Sequence, residues 1–251
     1  MLERIAGYLD DLLRNDDWNG VDAAHNGLQV ENSGDVNKVA FAVDACRETF
    51  DEADSLDADM LVVHHGIVWG SIESVTGQTY SRLNDLVKND IALYSSHLPL
   101  DAHEKVGNNA LLLDGLGATP SGRFAEFGGE DVGFVGELPE PIEMGEFVER
   151  VEETVGNEAT VLDFGPDEVE RVGVLTGAGG GYIDEASRAG VDVFVSGEPK
   201  HRAHHDAREH GINAVFGGHY HTETFGVEEL RRRVEGEFEV DTAYIEAPTK
   251  V

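Results

Sequence analysis

Sliding the chain along itself by 133 residues lays Val36, Lys38 and Val39 on Val169, Arg171 and Val172, and Asp51-Glu52-Ala53 on Asp184-Glu185-Ala186. Without a gap, the same shift brings Asp59 to Asp192 and Val62 to Val195. This internal repeat narrows the possible folds more than any other feature, because each copy has to fold the same way. In the first copy, the apolar run Val39 to Val43 is followed by a helix-compatible stretch from Glu48 to Leu56 and a second apolar run from Met60 to Val63. Val172 to Leu175, Ile183 to Ala189 and Val193 to Val195 repeat that order. Strand and helix patterns that alternate in this way predict α/β layers.

Further along, a shift of 122 takes over and places Ser96-His97 on Gly218-His219 and Asp101 on Glu223. Two strand-like stretches, Ile91 to Tyr94 and Ile212 to Phe216, therefore lead into a histidine followed by an acid, as His-x-x-x-Asp and His-x-x-x-Glu. A third strand end, after Leu61 to Val63, carries His64 and His65 side by side. Imidazole and carboxylate donors in this mixture suit divalent transition metals. Six candidates from three strand ends are more than one tetrahedral ion needs, so the residues read as a two-metal site. His64 and His65 would leave opposite faces of a continuing strand, so both reach one site only if the chain turns there, which Gly66 permits. Asp101 and Glu223 also fall where first-turn or N-cap acids occur, a role compatible with ligation. His97 stays open between ligand and a residue that orients a ligand or a bound water.

The first α/β half spans 1–125 and carries His64, His65, His97 and Asp101; the second, 126–251, opens with a linker and carries His219 and Glu223. The linker falls in the Gly-rich, Pro-containing stretch from Gly128 to Pro141, where Glu137-Leu138-Pro139-Glu140-Pro141 reads as a turn or linker. Met144 to Val155 then predicts a helix with Phe147, Val148, Val151 and Val155 on one face, and Thr160 to Phe164 a short strand. Leu2, Ile5, Leu9, Leu12 and Leu13 form the apolar face of an N-terminal helix whose acids make it neither a signal peptide nor a membrane span. The single Cys46 excludes an internal disulfide, suits a reducing cytoplasm and has no matched base, so covalent catalysis has little support. Gly177 to Gly181 sits between a strand and a helix and reads either as an anion cradle or as a plain turn; Tyr182 replaces the third glycine of a dinucleotide fingerprint. His201 and His205 lie four apart on a predicted helix with His204 and His210 nearby, and fit either a pocket lining or an exposed helix face.

In order and spacing, Asn26-Gly27-Leu28-Gln29-Val30, His64-His65, Ser95-Ser96-His97 with Asp101, Ser196-Gly197-Glu198 and Gly218-His219-Tyr220 with Glu223 resemble the motifs of the Nif-three-like dinuclear metal-centre proteins, often filed as homologues of GTP cyclohydrolase type 2. The resemblance spans nearly the whole chain. It implies two intertwined three-layer α/β/α domains related by a pseudo-dyad, with mixed sheets, assembled as a homohexamer, a trimer of dimers. It also implies two divalent ions per subunit, Zn, Fe, Mn, Co or Ni, held by His64, His65, Asp101, His219 and Glu223 with His97 close by. Two departures bear on geometry. Gly66 stands where the family usually has Pro, which should loosen the backbone behind the paired histidines, and Ser196-Gly197-Glu198 replaces Thr-Gly-Asp.

The function that follows is metal-dependent hydrolysis of a nucleotide or another phosphorylated small molecule by a metal-bound water, with His97 as a candidate assistant. The alternative is a metal chaperone, insertion factor or regulatory protein without turnover, since the same ligands serve both.

Fifty acids against eighteen bases leave a net charge of −32, far outside the magnitude of about 2 to 8 usual for a small domain. Such a surface repels itself in dilute salt and disfavours nucleic acid, whose phosphates need a basic face. In 1 M salt the screening length falls to about 3 Å, which relieves the repulsion. The composition therefore predicts a salt-adapted, haloarchaeal type of cytoplasm. Thermal melting is expected to rise markedly from dilute buffer to molar KCl, and equal stability in both would remove the idea.

Overall fold

The computed structural model describes residues 1–250. In chain order the elements are α1 (Leu2–Leu13), β1 (Gly27–Val30), β2 (Lys38–Asp44), α2 (Arg47–Ser55), β3 (Met60–His65), α3 (Gly77–Lys88), β4 (Ala92–Ser95), α4 (Leu98–Ala102) and α5 (Asn108–Gly115). There follow β5 (Thr119–Phe127), β6 (Glu130–Glu143), α6 (Met144–Val155), β7 (Thr160–Leu162), β8 (Glu168–Leu175), α7 (Ile183–Arg188) and β9 (Val193–Ser196). The chain closes with α8 (Ala203–His210), β10 (Asn213–Phe216), α9 (His219–Thr222), α10 (Thr224–Glu237) and β11 (Asp241–Tyr244). Two compact units result. The first comprises Met1–Leu100 and Gly226–Ala247; the second comprises Asp101–Phe225 and the tail from Pro248. The chain thus leaves the first unit, builds the second and returns, which makes the two intertwined in sequence.

The first unit holds a sheet of order β1-β4-β3-β2-β11, parallel throughout except for β1, which runs antiparallel beside β4. The second holds β5-β6-β8-β9-β10-β7, in which β8, β9 and β10 are parallel and the flanking strands antiparallel. Parallel neighbours need crossovers: α2 and α3 supply those among β2, β3 and β4, α7 and α8 those among β8, β9 and β10, and β11 joins β2 after the chain returns from the second unit. Strands covered on both faces read as unbroken apolar runs, and Val39 to Val43, Met60 to Val63 and Val193 to Val195 are all buried. The first core gathers around Phe50, Leu61, Val63, Leu86 and Leu93, the second around Leu113, Phe147, Val151, Val174 and Val215. The helix predicted over Met144 to Val155 forms with those bounds, buries Phe147, Val151 and Val155, and ends at Gly156 with φ 69°.

The duplication extends to individual hydrogen bonds. In β2 and β3, Val39 pairs with Met60 and Phe41 with Val62; in β8 and β9, Val172 pairs with Val193 and Val174 with Val195, the same register shifted by 133. Asp59 Oδ2 accepts from the amides of Asn37 and Lys38 (2.7 and 3.0 Å), and Asp192 Oδ2 accepts from those of Glu170 and Arg171 (3.0 and 2.8 Å). Each aspartate thus ties the entry of one strand to the start of its neighbour, satisfying two amides that precede the ladder. The helices before them close alike, with Ala58 N donating to Ala53 O (2.9 Å) and Val191 N to Ala186 O (3.5 Å).

One expectation fails. Gly128 to Pro141 is no linker: β5 and β6 form a long hairpin that turns at Gly128 and Gly129 (φ 61° and 99°). Pro139 and Pro141, which have no N–H to give a ladder, fall where the β6–β8 pairing is interrupted between Glu137 and Ile142. Prolines placed at a bulge look like a turn in sequence.

Asp59→Ala and Asp192→Ala should each destabilise the protein by about 1–2 kcal/mol, because each strands two amides. Urea unfolding checks this, and matched losses at the two positions are the signature of a shared structural role.

Candidate metal centre

In the first unit, the ends of β3 and β4 bring three imidazoles together. His64 and His65 are the last two residues of β3, and Gly66 follows them directly. Their rings leave opposite faces, yet their centroids lie 4.5 Å apart, and His97, just past β4, sits 5.1 Å from His64 and 5.6 Å from His65. The rings meet because both reach the carboxyl ends of the parallel strands, where open α/β sheets gather ligands. One ring nitrogen from each of the three lies within 4.8 Å of the others.

Each ring has an acceptor behind Nδ1. His64 Nδ1 donates to the carbonyl of Ser96 (2.9 Å), His65 Nδ1 to Asp44 Oδ1 (2.9 Å) and His97 Nδ1 to Asp22 Oδ1 (3.0 Å). A carbonyl or carboxylate can only accept, so all three are fixed as Nδ1–H tautomers that present Nε2. Burial pushes the Asp22 carboxyl up. The hydrogen bond and charge of His97, with donors from Asn26 and the Ala24 amide, outweigh that and hold it at about 2.

Asn26 Oδ1 accepts from the His97 amide (2.7 Å), which gives the Asn-Gly-Leu-Gln-Val motif a positioning role. Gln29 of that motif also corrects an expectation. Its Oε1 accepts from the Ile67 and Val68 amides (2.8 and 3.2 Å), and a Cβ on Gly66 would meet its side chain at 2.4 Å. The backbone after the histidines is therefore pinned by Gln29, and Gly66 makes room for it.

In the second unit, Asp101 and Glu223 are 6% and 3% exposed, and each offers an oxygen within 4.8 Å of the other's. Asp101 Oδ1 accepts from Asn108 Nδ2 (2.9 Å) and Thr176 Oγ1 (3.3 Å), while Asn109 Nδ2 donates to the Asp101 carbonyl (3.1 Å). His219 Nε2 lies 3.2 Å from Glu223 Oε2, and its Nδ1 lies 3.6 Å from Glu198 Oε1. Two buried carboxylates this close repel each other unless a cation or shared proton intervenes. The donor set, imidazole with carboxylate, therefore fits a divalent ion.

Gly177 to Gly181 serves this arrangement. A Cβ on Gly177 (φ 62°) would fall 2.0 Å from Glu223 Oε1 and 3.1 Å from His219 Nε2, and one on Gly197 would fall 2.5 Å from the Gly177 carbonyl. Gly177 and Gly197 let the backbone pass close to Glu223 and His219, while a Cβ on Gly179 or Gly180 would strike the carbonyl of Leu175 or Glu198 at 2.5 or 2.4 Å. The cluster at His201, His204, His205 and His210 is exposed. His201 precedes α8, outside the helix predicted to carry it, and His210 pairs with Asp184 at 3.2 Å. A cavity of about 600 Å³ does open at the ends of β9 and β10, lined by Asn157, Thr160, Glu198, Phe216 and Lys250, without those histidines.

The family model for Duf34/NIF3 (NGG1p interacting factor 3) matches residues 1–250. The chain belongs to the NIF3 family. It is 42% identical over 250 residues to a protein of Archaeoglobus fulgidus named GTP cyclohydrolase 1 type 2 homolog, with 100% of this chain and 99% of that one covered. A Halobacterium salinarum protein of the same name is 43% identical, with 98% and 97% covered. The crystal structure of TTHA1606 from Thermus thermophilus matches with a TM-score of 0.89 at 37% identity, covering 99% of each chain. The α/β fold with duplicated mixed sheets is thus that of NIF3 proteins, and this member carries His/Asp/Glu clusters that could hold a metal. Missing from the sequence reading were Asp22, Asp44, Asn108 and Asn109. Asp44 had a signal, because it ends the strand beside the one that ends in His65.

Gly177→Ala is expected to destabilise by about 1–3 kcal/mol through overpacking against Glu223 and a left-handed backbone. Gly181→Ala, whose Cβ would meet only Arg202 and Lys200 side-chain atoms at 3.5 and 4.0 Å, should be near neutral. Denaturant unfolding of the two variants side by side measures the contrast.

Proposed function

We propose that this NIF3 protein binds two divalent metal ions through His64, His65, Asp101, His219 and Glu223, and hydrolyses a nucleotide or phosphoester in the manner its relatives' cyclohydrolase name suggests. The observation that carries the reading is the acceptor behind Nδ1 of each clustered imidazole. Carboxylate and carbonyl partners of this kind fix ligand orientation and raise basicity at metal sites, and structural histidines have no need of three at once. Bound there, the ions would supply Lewis acidity and a water acidified to near neutral pH.

The chain's own residues do the rest. Ser96, Asp44 and Asp22 hold the rings with Nε2 presented, and Asn108 and Thr176 hold one oxygen of Asp101, orienting the carboxylate. Glu198 places a carboxylate oxygen 3.6 Å from His219 Nδ1. His97, with its proton kept on Nδ1 by Asp22, has an Nε2 able to take a proton from a water or substrate hydroxyl as general base. Zn, Fe, Mn, Co and Ni all suit these donors. A cytoplasmic homohexamer is part of the same proposal, supported by the lone Cys46 and the family resemblance.

Protein purified without added metal or a histidine tag should carry about two divalent ions per chain by elemental analysis. Chelation should abolish nucleotide or phosphoester hydrolysis, and Zn, Mn or Fe should restore it. Turnover that survives complete chelation would sink the hydrolase reading, and metal without any turnover would favour storage or delivery.

A further inference from the structure

Trp69 is 46% exposed, whereas Trp18 is buried at 8%. An indole is the largest apolar side chain, and folds normally cover it. The exposure at Trp69 is not slack. Its Nε1 donates to the Gly66 carbonyl (3.0 Å), its backbone bridges Ala24 in antiparallel fashion, and Gly70 N donates to Ala23 O (2.6 Å). The ring meets His97 at 5.0 Å between centroids and 71°, edge to face, and His65 at 6.2 Å. A rigid, half-open aromatic therefore stands beside the imidazole trio, held from both its backbone and its ring.

We infer that Trp69 is the stacking platform for a planar heteroaromatic ring of a ligand whose oxygen donors reach the ions that the neighbouring histidines would hold. The inference rests on the metal-binding reading above and names the ligand class for that site. Stacking on indole is tolerant of base identity, since every base presents a π-face. A cationic ligand, the other usual partner of an exposed tryptophan, would be repelled by divalent ions bound a few ångströms away. An anionic tail on a neutral ring gains from both neighbours, and a nucleotide has that form.

The test uses the full-length protein in molar KCl, loaded with zinc, and titrates GMP, AMP and ribose 5-phosphate by calorimetry. Ribose 5-phosphate keeps the phosphate but lacks the ring. Both nucleotides should bind wild type about tenfold tighter than ribose 5-phosphate. Trp69→Ala should lose that preference, Trp69→Phe should keep most of it, and ribose 5-phosphate affinity and metal content should match wild type in both. In Trp18→Phe, where Trp69 is the remaining tryptophan, GMP should quench the emission and ribose 5-phosphate should not. A wild type with no ring preference, an unquenched Trp69, or a metal-loaded Trp69→Ala that retains the preference each overturns the assignment. Metal content reports separately on the site itself: a wild type that takes up no zinc defeats the metal reading, while a ring preference that depends on Trp69 still stands or falls on the same titrations.

Discussion

A histidine coordinates a metal only through a nitrogen that carries no proton, and the first unit meets that condition three times by placing an acceptor behind each ring. The acceptors come from separate segments: Asp44 ends β2, Ser96 follows β4, and Asp22 lies in the irregular stretch before β1. Their positions depend on strand register, with Asp44 opposite His65 and Val63 opposite Ser95. A slip of one residue would turn each side chain to the other face and leave the rings without their acceptors. The apolar runs that fix the register through burial are therefore also what sets the protonation of the imidazoles.

The second unit uses the same scaffold for a different donor chemistry. The register of β2 and β3 recurs in β8 and β9, yet the end of β9 carries Ser196-Gly197-Glu198 where β3 ends in His64 and His65. Carboxylates predominate here, and they need close backbone approach more than acceptors. Gly177 and Gly197 supply that approach, and the buried Asn108 and Asn109 donate to Asp101 in place of solvent. Duplication supplied the frame, and the two strand ends then diverged in what they present.

The repeat, the strands and the long helices were legible because burial imposes periodicity on neighbouring residues, and the clustered histidines and acids stood at the ends of those strands. What escaped the sequence came from pairings between distant segments. Asp22 partners His97 across an irregular stretch with no period, and Gln29 fills the space at Gly66 from a strand far away in sequence. The hairpin of β5 and β6 was missed for the opposite reason: Gly128, Gly129, Pro139 and Pro141 carry strong local turn signals, which hold for the turn and for a bulge but not for the strand between them. Local rules describe local backbone, and a long antiparallel pair overrides them wherever it can absorb a proline at an interruption.

The acidic surface and the buried His/Asp/Glu clusters answer to different electrostatics. A net charge of −32 creates a field that would gather cations from a distance in dilute solution. In molar salt that field decays within about 3 Å of the surface, so it neither steers nor holds an ion. Asp22 in the first unit and Asp101 and Glu223 in the second are each almost fully covered, where attraction is not screened in this way. An ion held at either cluster would therefore owe its affinity to the few buried donors and the groups that orient them.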